Sequence, residues 1–347
     1  MRDDEFTLPS LSVVVPALNE EATIEPAMRS LLSLDYSGLE IVAVDDRSSD
    51  RTGEILDGLS AENSHLLVRH ISELPPGWLG KNHALHCGSQ MVDGEWILFT
   101  DADVHFTTDA VRRAVQFAEQ NDLDHLVLFP EMEVQGFWEK LYVSYFGVMF
   151  SMYAQPWAAK NPRSKAYIGV GAFNLVRTSH YRSVGGHAAL PMDVADDMKL
   201  GKVMKYGGGK QECVMGGPFV RVRWIVGLRG AIDGSAKNMF AGVEFSPWIL
   251  ARTVAALLII GVWPAIGLFA GPWQARTLCL ATFASMALTV KTSSFLKLNP
   301  AYGFVFPLGA LVFLYCMVRS AALTYRQGGI VWRGTLYPLE DLRKGIA

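Results

Sequence analysis

Asp101-Ala102-Asp103 follow directly on the hydrophobic run Trp96-Ile97-Leu98-Phe99-Thr100. Two carboxylates one residue apart suit a hard divalent cation, Mg2+ or Mn2+, which takes oxygen ligands and bridges carboxylates to phosphates. A second acidic pair, Asp45-Asp46, closes another apolar run, and a third, Asp196-Asp197, lies in Asp193-Val194-Ala195-Asp196-Asp197. A carboxylate within reach of a hydroxyl can act as a general base; adjacent Asp residues also favour a helix N-terminus for purely structural reasons. Lys81 reads either as a cation able to approach a diphosphate or as a solvated loop lysine. Each acidic group taken alone reads equally as a capped turn. Gathered at one place they would repel one another, and a cation with a phosphate-bearing substrate would relieve that repulsion.

The elements that must carry these groups are legible from hydrophobic runs. Leu11–Val15, Glu40–Val44, Leu66–His70, Trp96–Thr100 and His125–Phe129 read as strands buried on both faces. Between the first two, Ile24, Met28, Leu31 and Leu32 mark a helix, with Thr23 as N-cap and Pro26 in its first turn. Strand alternating with helix predicts an α/β fold with a mostly parallel sheet and right-handed crossovers. In such a sheet the strand ends share an edge, so Pro16-Ala17-Leu18-Asn19-Glu20, Asp45-Asp46 and Asp101–Asp103 are expected to converge there.

The chain has 347 residues and a formal net charge of -3, which gives no broad basic surface for nucleic acid. Half of its residues are hydrophobic and mean hydropathy is +0.20, high for a purely soluble protein. That excess is concentrated after Pro247. Residues 1–232 read as a catalytic domain, and 233–347 as a membrane region with about three apolar helices and a short basic tail. The three runs are Trp248–Gly271, Thr277–Val290 and Tyr302–Val318; they read as spans of a multi-pass cell-membrane protein or as a buried helical hairpin. Phe137–Trp157 reads as an interfacial or a core helix. The polar stretch Met1–Ser10 has no signal-peptide pattern. Cys87, Cys213, Cys279 and Cys316 lack metal or disulfide spacing. His83 and His86 lack a third zinc ligand, and Gly207-Gly208-Gly209 lacks phosphate-loop spacing.

Taken in order, these segments resemble the family-2 glycosyltransferases of the GT-A (Rossmann-like) fold. The resemblance rests on Ser12–Pro16 with Asn19-Glu20, and on Val44-Asp45-Asp46-Arg47-Ser48 with Asp50 and Thr52. It continues through Gly80-Lys81-Asn82, a D-x-D at Asp101-Ala102-Asp103, Gly169-Val170-Gly171, Val184-Gly185-Gly186, and Ala195-Asp196-Asp197 at the place of the family's E-D pair. Gly329–Gly334 with Tyr337 is similar to a membrane-bound subgroup that includes hopanoid-associated and ceramide glucosyltransferase-like enzymes.

The resemblance implies a nucleotide-sugar site of Pro16, Asn19, Glu20, Asp45, Asp46, Lys81, Asp101, Arg223 and Trp224. It further implies Mg2+ or Mn2+ on Asp103 with Asp101, and Asp197 as base beside Asp196. The expected reaction moves a sugar with inversion from a nucleotide-diphosphate donor, such as a UDP-sugar, to a lipid or lipid-linked acceptor on the cytoplasmic side. One departure argues against processive polysaccharide synthesis: Arg223-Trp224 are present, but Val220 holds the position where relatives carry Gln or Arg, and Arg221 comes one residue late. A nucleotidyltransferase on a related core and a non-catalytic membrane assembly or export subunit are the competing expectations.

Overall fold

The computed structural model describes residues 8–292 and 299–345; most of the polar N-terminal stretch lies outside the described residues. The chain divides into two compact units, the first made of residues 1–131 and 154–222, the second of 132–153 and 223–347.

The first unit starts with β1 (Leu11–Ala17), α1 (Ile24–Leu32), β2 (Leu39–Asp46), α2 (Thr52–Glu62), β3 (Leu66–Ile71), α3 (Gly80–Ser89) and β4 (Trp96–Phe99). β5 (Val104–Phe106), α4 (Ala110–Gln120), β6 (His125–Phe129) and the two-residue β7 (Glu131–Met132) follow. After α5 (Gly136–Ala154), which belongs to the second unit, come β8 (Asn174–Arg177), α6 (Thr178–Ser183), α7 (Asp196–Tyr206), β9 (Gln211–Met215) and β10 (Val220–Val222). All five expected strands are present.

The main sheet runs β3-β2-β1-β4-β8-β6-β9. β3, β2, β1 and β4 are mutually parallel, as are β6 and β9, while β8 runs antiparallel to both of its neighbours. Strand order therefore reverses between β1 and β4, and a crevice opens beyond the carboxyl ends of strands at such a point. Alternation explains the layering: Val14, Val42, Val44, Ile97 and Phe99 share one cluster with Ala84 and Leu85 of α3 and Leu200 and Met204 of α7. Val13, Val15, Ile41 and Leu98, of opposite parity, are equally buried, so the sheet is covered on both faces. Thr23 does precede α1, but its hydroxyl makes no cap to the helix backbone; it donates to the Glu20 carboxylate at 3.1 Å.

The second unit is helical. Besides α5 it holds α8 (Gly227–Gly234), α9 (Asn238–Ala241) and α10 (Pro247–Leu257), which runs through a π turn at Leu258–Val262 into α11 (Trp263–Ala270). Then follow α12 (Trp273–Thr292), α13 (Phe306–Gln327), a hairpin of β11 (Gly329–Trp332) and β12 (Thr335–Pro338), and α14 (Leu339–Lys344). Pro264 falls at the start of α11, where its missing N–H interrupts the i→i−4 ladder next to the π turn. Each apolar run expected from sequence forms a helix. Among the described residues, Pro247–Ala270 (24 residues) and Phe306–Gln327 (22 residues) are long and apolar enough to cross a membrane. α12 carries Gln274, Arg276 and Lys291 within its 20 residues, which lowers its apolar character. α5 packs inside this unit: Tyr145 lies against Phe306, ring centroids 4.5 Å apart, and the Tyr142 hydroxyl bonds the Ser235 hydroxyl. The second unit thus starts at Arg223, earlier than the 232/233 boundary expected from composition, and reaches back to take in α5.

Candidate active site

The loops after β1 and β2 form one laced surface. Asn19 adopts left-handed backbone geometry (φ 54°), a conformation its short amide side chain tolerates. Its Oδ1 accepts from Ser49 N–H at 2.8 Å, and its own N–H donates to Ser48 Oγ at 3.0 Å. Glu20 N–H donates to Thr52 Oγ1 at 2.7 Å, and the Asp50 carboxylate accepts from Glu21 N–H at 3.1 Å. Asn19 therefore shapes this edge through its hydrogen bonds. Pro16 lies inside β1, buried and in register with Val44.

Asp45 and Asp46 terminate β2, both largely buried. Asp45 Oδ2 lies 2.9 Å from His70 Nδ1, and its Oδ1 accepts from Ser48 N–H at 3.3 Å. Asp46 makes a forked ion pair with the Arg47 guanidinium at 2.7 and 2.8 Å. The start of α3 is pressed against this pair, because a Cβ on Gly80 would collide with the Asp46 carboxylate. Lys81 follows immediately.

Lys81 is the hub of the site. Its Nζ lies 2.7 Å from Asp101 Oδ1 and 3.2 Å from Asp196 Oδ2, although the three residues belong to α3, the β4 loop and the start of α7. Asp197, next along α7, accepts from Gly171 N–H at 2.9 Å and from Met198 N–H at 2.7 Å. Gly169 and Gly171 make this closeness possible. A Cβ on Gly171 would sit 2.5 Å from Asp101 Oδ2, and one on Gly169 would land on the Asp197 carbonyl. Asp101 N–H in turn donates to the Gly171 carbonyl at 3.1 Å. The segment Gly169–Gly171 thus threads between the two acidic loops and bonds to both.

The charges are unequal in consequence. Burial alone would lower the Lys81 pKa, but Asp101, Asp196 and Asp197 outweigh it, so the ammonium is held well above its ordinary range. Burial raises the Asp197 carboxyl, and neighbouring Asp196 adds to this against the opposing pull of Lys81. Burial also lifts Asp103, helped by the charges of Asp101 and Glu20, to about 7. Asp101 pairs with Lys81, while Asp103 holds a proton more readily than an ordinary carboxylate. Oxygen donors of this kind fit Mg2+ or Mn2+. Among the described residues no three His, Cys, Asp or Glu side chains form a complete metal cage. A cation on Asp103 and Asp101 would therefore complete its shell with phosphate oxygens and water, the usual habit of Mg2+.

Lys81, Asp101, Asp196 and Asp197 line one pocket, together with Gly171 and His187. His187 was not anticipated from sequence. It is buried, its Nδ1 lies 2.8 Å from the Tyr181 hydroxyl, and it stands edge-on to Phe99 with centroids 4.6 Å apart. Burial, with Lys81 nearby, pushes its pKa down to about 3 and keeps it neutral. A histidine placed six residues after its tyrosine partner in a turn carries no periodic signal. Arg223 and Trp224 belong to the second unit. There Arg223 Nη2 lies 3.5 Å from Glu139 Oε1, and Trp224 packs on Phe146 with centroids 4.5 Å apart. His83 and His86 have their own local partners: His83 Nε2 is 3.5 Å from Cys87 Sγ, and His86 stacks on Trp78.

The strand-order reversal thus sets acidic loops around a largely enclosed lysine, Lys81. The family model for glycosyl transferase family 2 matches residues 12–185, half of the chain, and the protein belongs to that family. Among its relatives, the 4,4'-diaponeurosporenoate glycosyltransferase of Staphylococcus aureus is 22% identical over 344 residues, covering 96% of this chain and 90% of the relative. The enzyme of the same name from Staphylococcus haemolyticus is 24% identical over 247 residues, covering 69% and 63%. Among solved structures, the mannosyltransferase PcManGT from Pyrobaculum calidifontis, in complex with GDP-Man and Mn2+, is similar in fold, with a TM-score of 0.57 and 20% identity over 91% of this chain and 88% of the other. The expected GT-A fold, an α/β architecture with a mostly parallel mixed sheet, is thereby established for this chain.

Proposed function

We propose that the protein is a metal-dependent, inverting glycosyltransferase that moves a sugar from a nucleoside-diphosphate donor to the hydroxyl or carboxyl oxygen of a lipid acceptor at a membrane. The observation that carries this reading is Lys81 held between Asp101 and Asp196, with the proton-seeking Asp197 beside them. A sugar diphosphate brings negative charge that grows as it leaves, and the carboxylates present need a cation before they tolerate it. When bound to Asp103 and Asp101, Mg2+ or Mn2+ would supply charge neutralisation at the diphosphate.

The remaining work falls to the chain. Asp45 and Asp46 hold the nucleoside, and the laced loop with Asn19 and Glu20 shapes the wall around it. Lys81 bridges Asp101 and Asp196, offsetting their mutual repulsion, and faces the diphosphate side. Asp197, whose basicity is raised by burial and by Asp196, takes the proton from the acceptor oxygen. That oxygen attacks the anomeric carbon from the face opposite the diphosphate; the new C–O bond forms as the old one breaks, and its electron pair leaves with the nucleoside diphosphate. Placement at a membrane is supported by two helices of spanning length and by outward apolar side chains such as Trp248 and Phe269, 80% and 81% exposed. Two crossings would keep the catalytic unit and the basic tail on one, cytoplasmic, side. The lipid acceptor is supported by the 4,4'-diaponeurosporenoate in the name of the Staphylococcus aureus relative.

A donor screen with membranes and a lipid extract tests the reading. Release of nucleoside diphosphate that depends on both a sugar donor and the extract is expected, with a glycolipid detected by mass spectrometry. Pyrophosphate release would indicate nucleotidyl transfer instead, and absence of nucleotide binding would point to a non-catalytic subunit.

A further inference from the structure

The penultimate residue of β3 is a histidine that the proposed reaction does not use. His70 stands directly across from Asp45 in the β2–β3 register. Its Nδ1 lies 2.9 Å from Asp45 Oδ2, and its Nε2 lies 3.0 Å from Asp57 Oδ1 on α2. Asp45 is largely buried; His70 is about half exposed, its ring edge passing under Gly53, where a Cβ would come within 3.4 Å of Cε1. A neutral imidazole has one donor nitrogen and one acceptor nitrogen, so it would turn a lone pair toward one of these carboxylates. Only the imidazolium donates to both. Asp45 on β2 and Asp57 on α2 are the charged groups facing the ring, and their hydrogen bonds raise its pKa above the ordinary histidine value, against a smaller effect of burial.

We infer that His70 is a positioning residue for the donor nucleotide: as an imidazolium braced on Asp57, it fixes the Asp45 carboxylate in the orientation that meets the nucleoside, and nucleotide affinity falls when His70 loses its proton. The inference rests on the assignment of Asp45 to the nucleoside. Bracing acts on both oxygens of Asp45. Oδ2 is held by His70 and Oδ1 by the Ser48 N–H, so the carboxylate cannot rotate, and each oxygen keeps a lone pair for the ligand. Asp57 is half of the device, because it holds the far nitrogen and so keeps the ring charged and oriented. Without it the ring could tip away from Asp45.

Calorimetric titration of UDP, with GDP in parallel, into the full-length detergent-solubilised protein tests this over a pH series that starts at the ordinary histidine value and rises from there, since the pKa of His70 is raised. For the wild type, affinity should decline by about tenfold as the histidine deprotonates, the scale of one hydrogen bond to a charged group. H70A should bind about tenfold more weakly at the lowest pH of the series and show no decline. H70N keeps an N–H donor where Nδ1 stood, so it should recover most of the affinity with a flat profile. H70Q places its amide nearer the Nε2 position and should not recover it. D45N separates the two layers. If D45N binds UDP and GDP as the wild type does, the assignment of Asp45 fails and the inference with it. If D45N is weakened while H70A keeps wild-type affinity and pH dependence, the assignment survives and the role of His70 is overturned. Equal weakening of H70A and H70N with the wild-type pH profile retained would also overturn it. Thermal melts of each variant exclude loss of fold as the cause of weaker binding.

Discussion

Asp196 and Asp197 are adjacent in sequence and differ in their partners. Asp196 pairs with Lys81, whereas Asp197 accepts two backbone N–H groups and sits where burial raises its pKa. The second setting suits a base that must hold a proton for the duration of one reaction. Asp197→Asn keeps an oxygen for the Gly171 N–H and removes the ability to take a proton. Sugar transfer should fall by about a hundred- to ten-thousandfold in kcat, with donor affinity unchanged by calorimetry. Asp103 makes a separate prediction. Its folded pKa of about 7 lies above the unfolded carboxylate value of about 4, so the protonated form is favoured in the folded protein. The stability it contributes is present in acid and is lost as pH rises from the unfolded value through about 7. Without added cation, Asp103→Asn should therefore melt higher than wild type in mildly alkaline buffer. The same proton competes with metal, so Mn2+ affinity of the wild type should weaken as pH falls below about 7, with proton release on binding seen as a buffer-dependent heat.

Elements bring these residues together through backbone contact as much as through side chains. The Gly169–Gly171 segment lies against the first turn of α7 and the loop after β4, where there is no room for a Cβ. Gly169→Ala drives a methyl onto the Asp197 carbonyl and must push α7 aside. We expect a loss of about 1–3 kcal/mol in denaturant unfolding, typical of overpacking, together with loss of transfer activity; a variant as stable and active as wild type would refute the close approach. The strands that carry Asp45 and Asp101 were readable because each is a short apolar run ended by acids. β8 was not, since Asn174–Arg177 holds only two apolar residues between polar ends. It is a strand because β4 and β6 both lend it their edges.

At the scale of the whole molecule, the apolar excess belongs mainly to the second unit. α5, although it falls in the middle of the catalytic sequence, buries Tyr142 and Tyr145 in that unit, against Ser235 and Phe306. A truncation ending at Val222 removes those partners and leaves the apolar face of α5 uncovered. Such a protein should aggregate or run as a broad oligomer on size exclusion, whereas the full-length chain in detergent should give one species. The sequence marked the apolar change after Pro247 and read Phe137–Trp157 as an interfacial or core helix, but did not join that helix to the C-terminal region, because it lies far upstream and Glu139 and Lys140 make its start look polar. Glu139 is in fact buried, accepting from Gln135 N–H at 2.6 Å and Gly227 N–H at 2.7 Å.

The sequence by itself determined the parts: five apolar runs that had to be strands, acids following three of them, and three apolar C-terminal runs, of which two form helices of spanning length. Hydrophobic periodicity and residue type are local properties, and local properties survive without the fold. Only the tertiary structure decided which charges meet. Lys81, Asp101 and Asp196 are far apart in the chain, and their pairing depends on α3, β4 and α7 sharing one sheet edge. The difference between Asp196 and Asp197, the raised pKa of Asp103, the neutral His187 and the brace of His70 on Asp45 follow from distance and desolvation. Those are properties of a packed arrangement, and no run of residues encodes them alone.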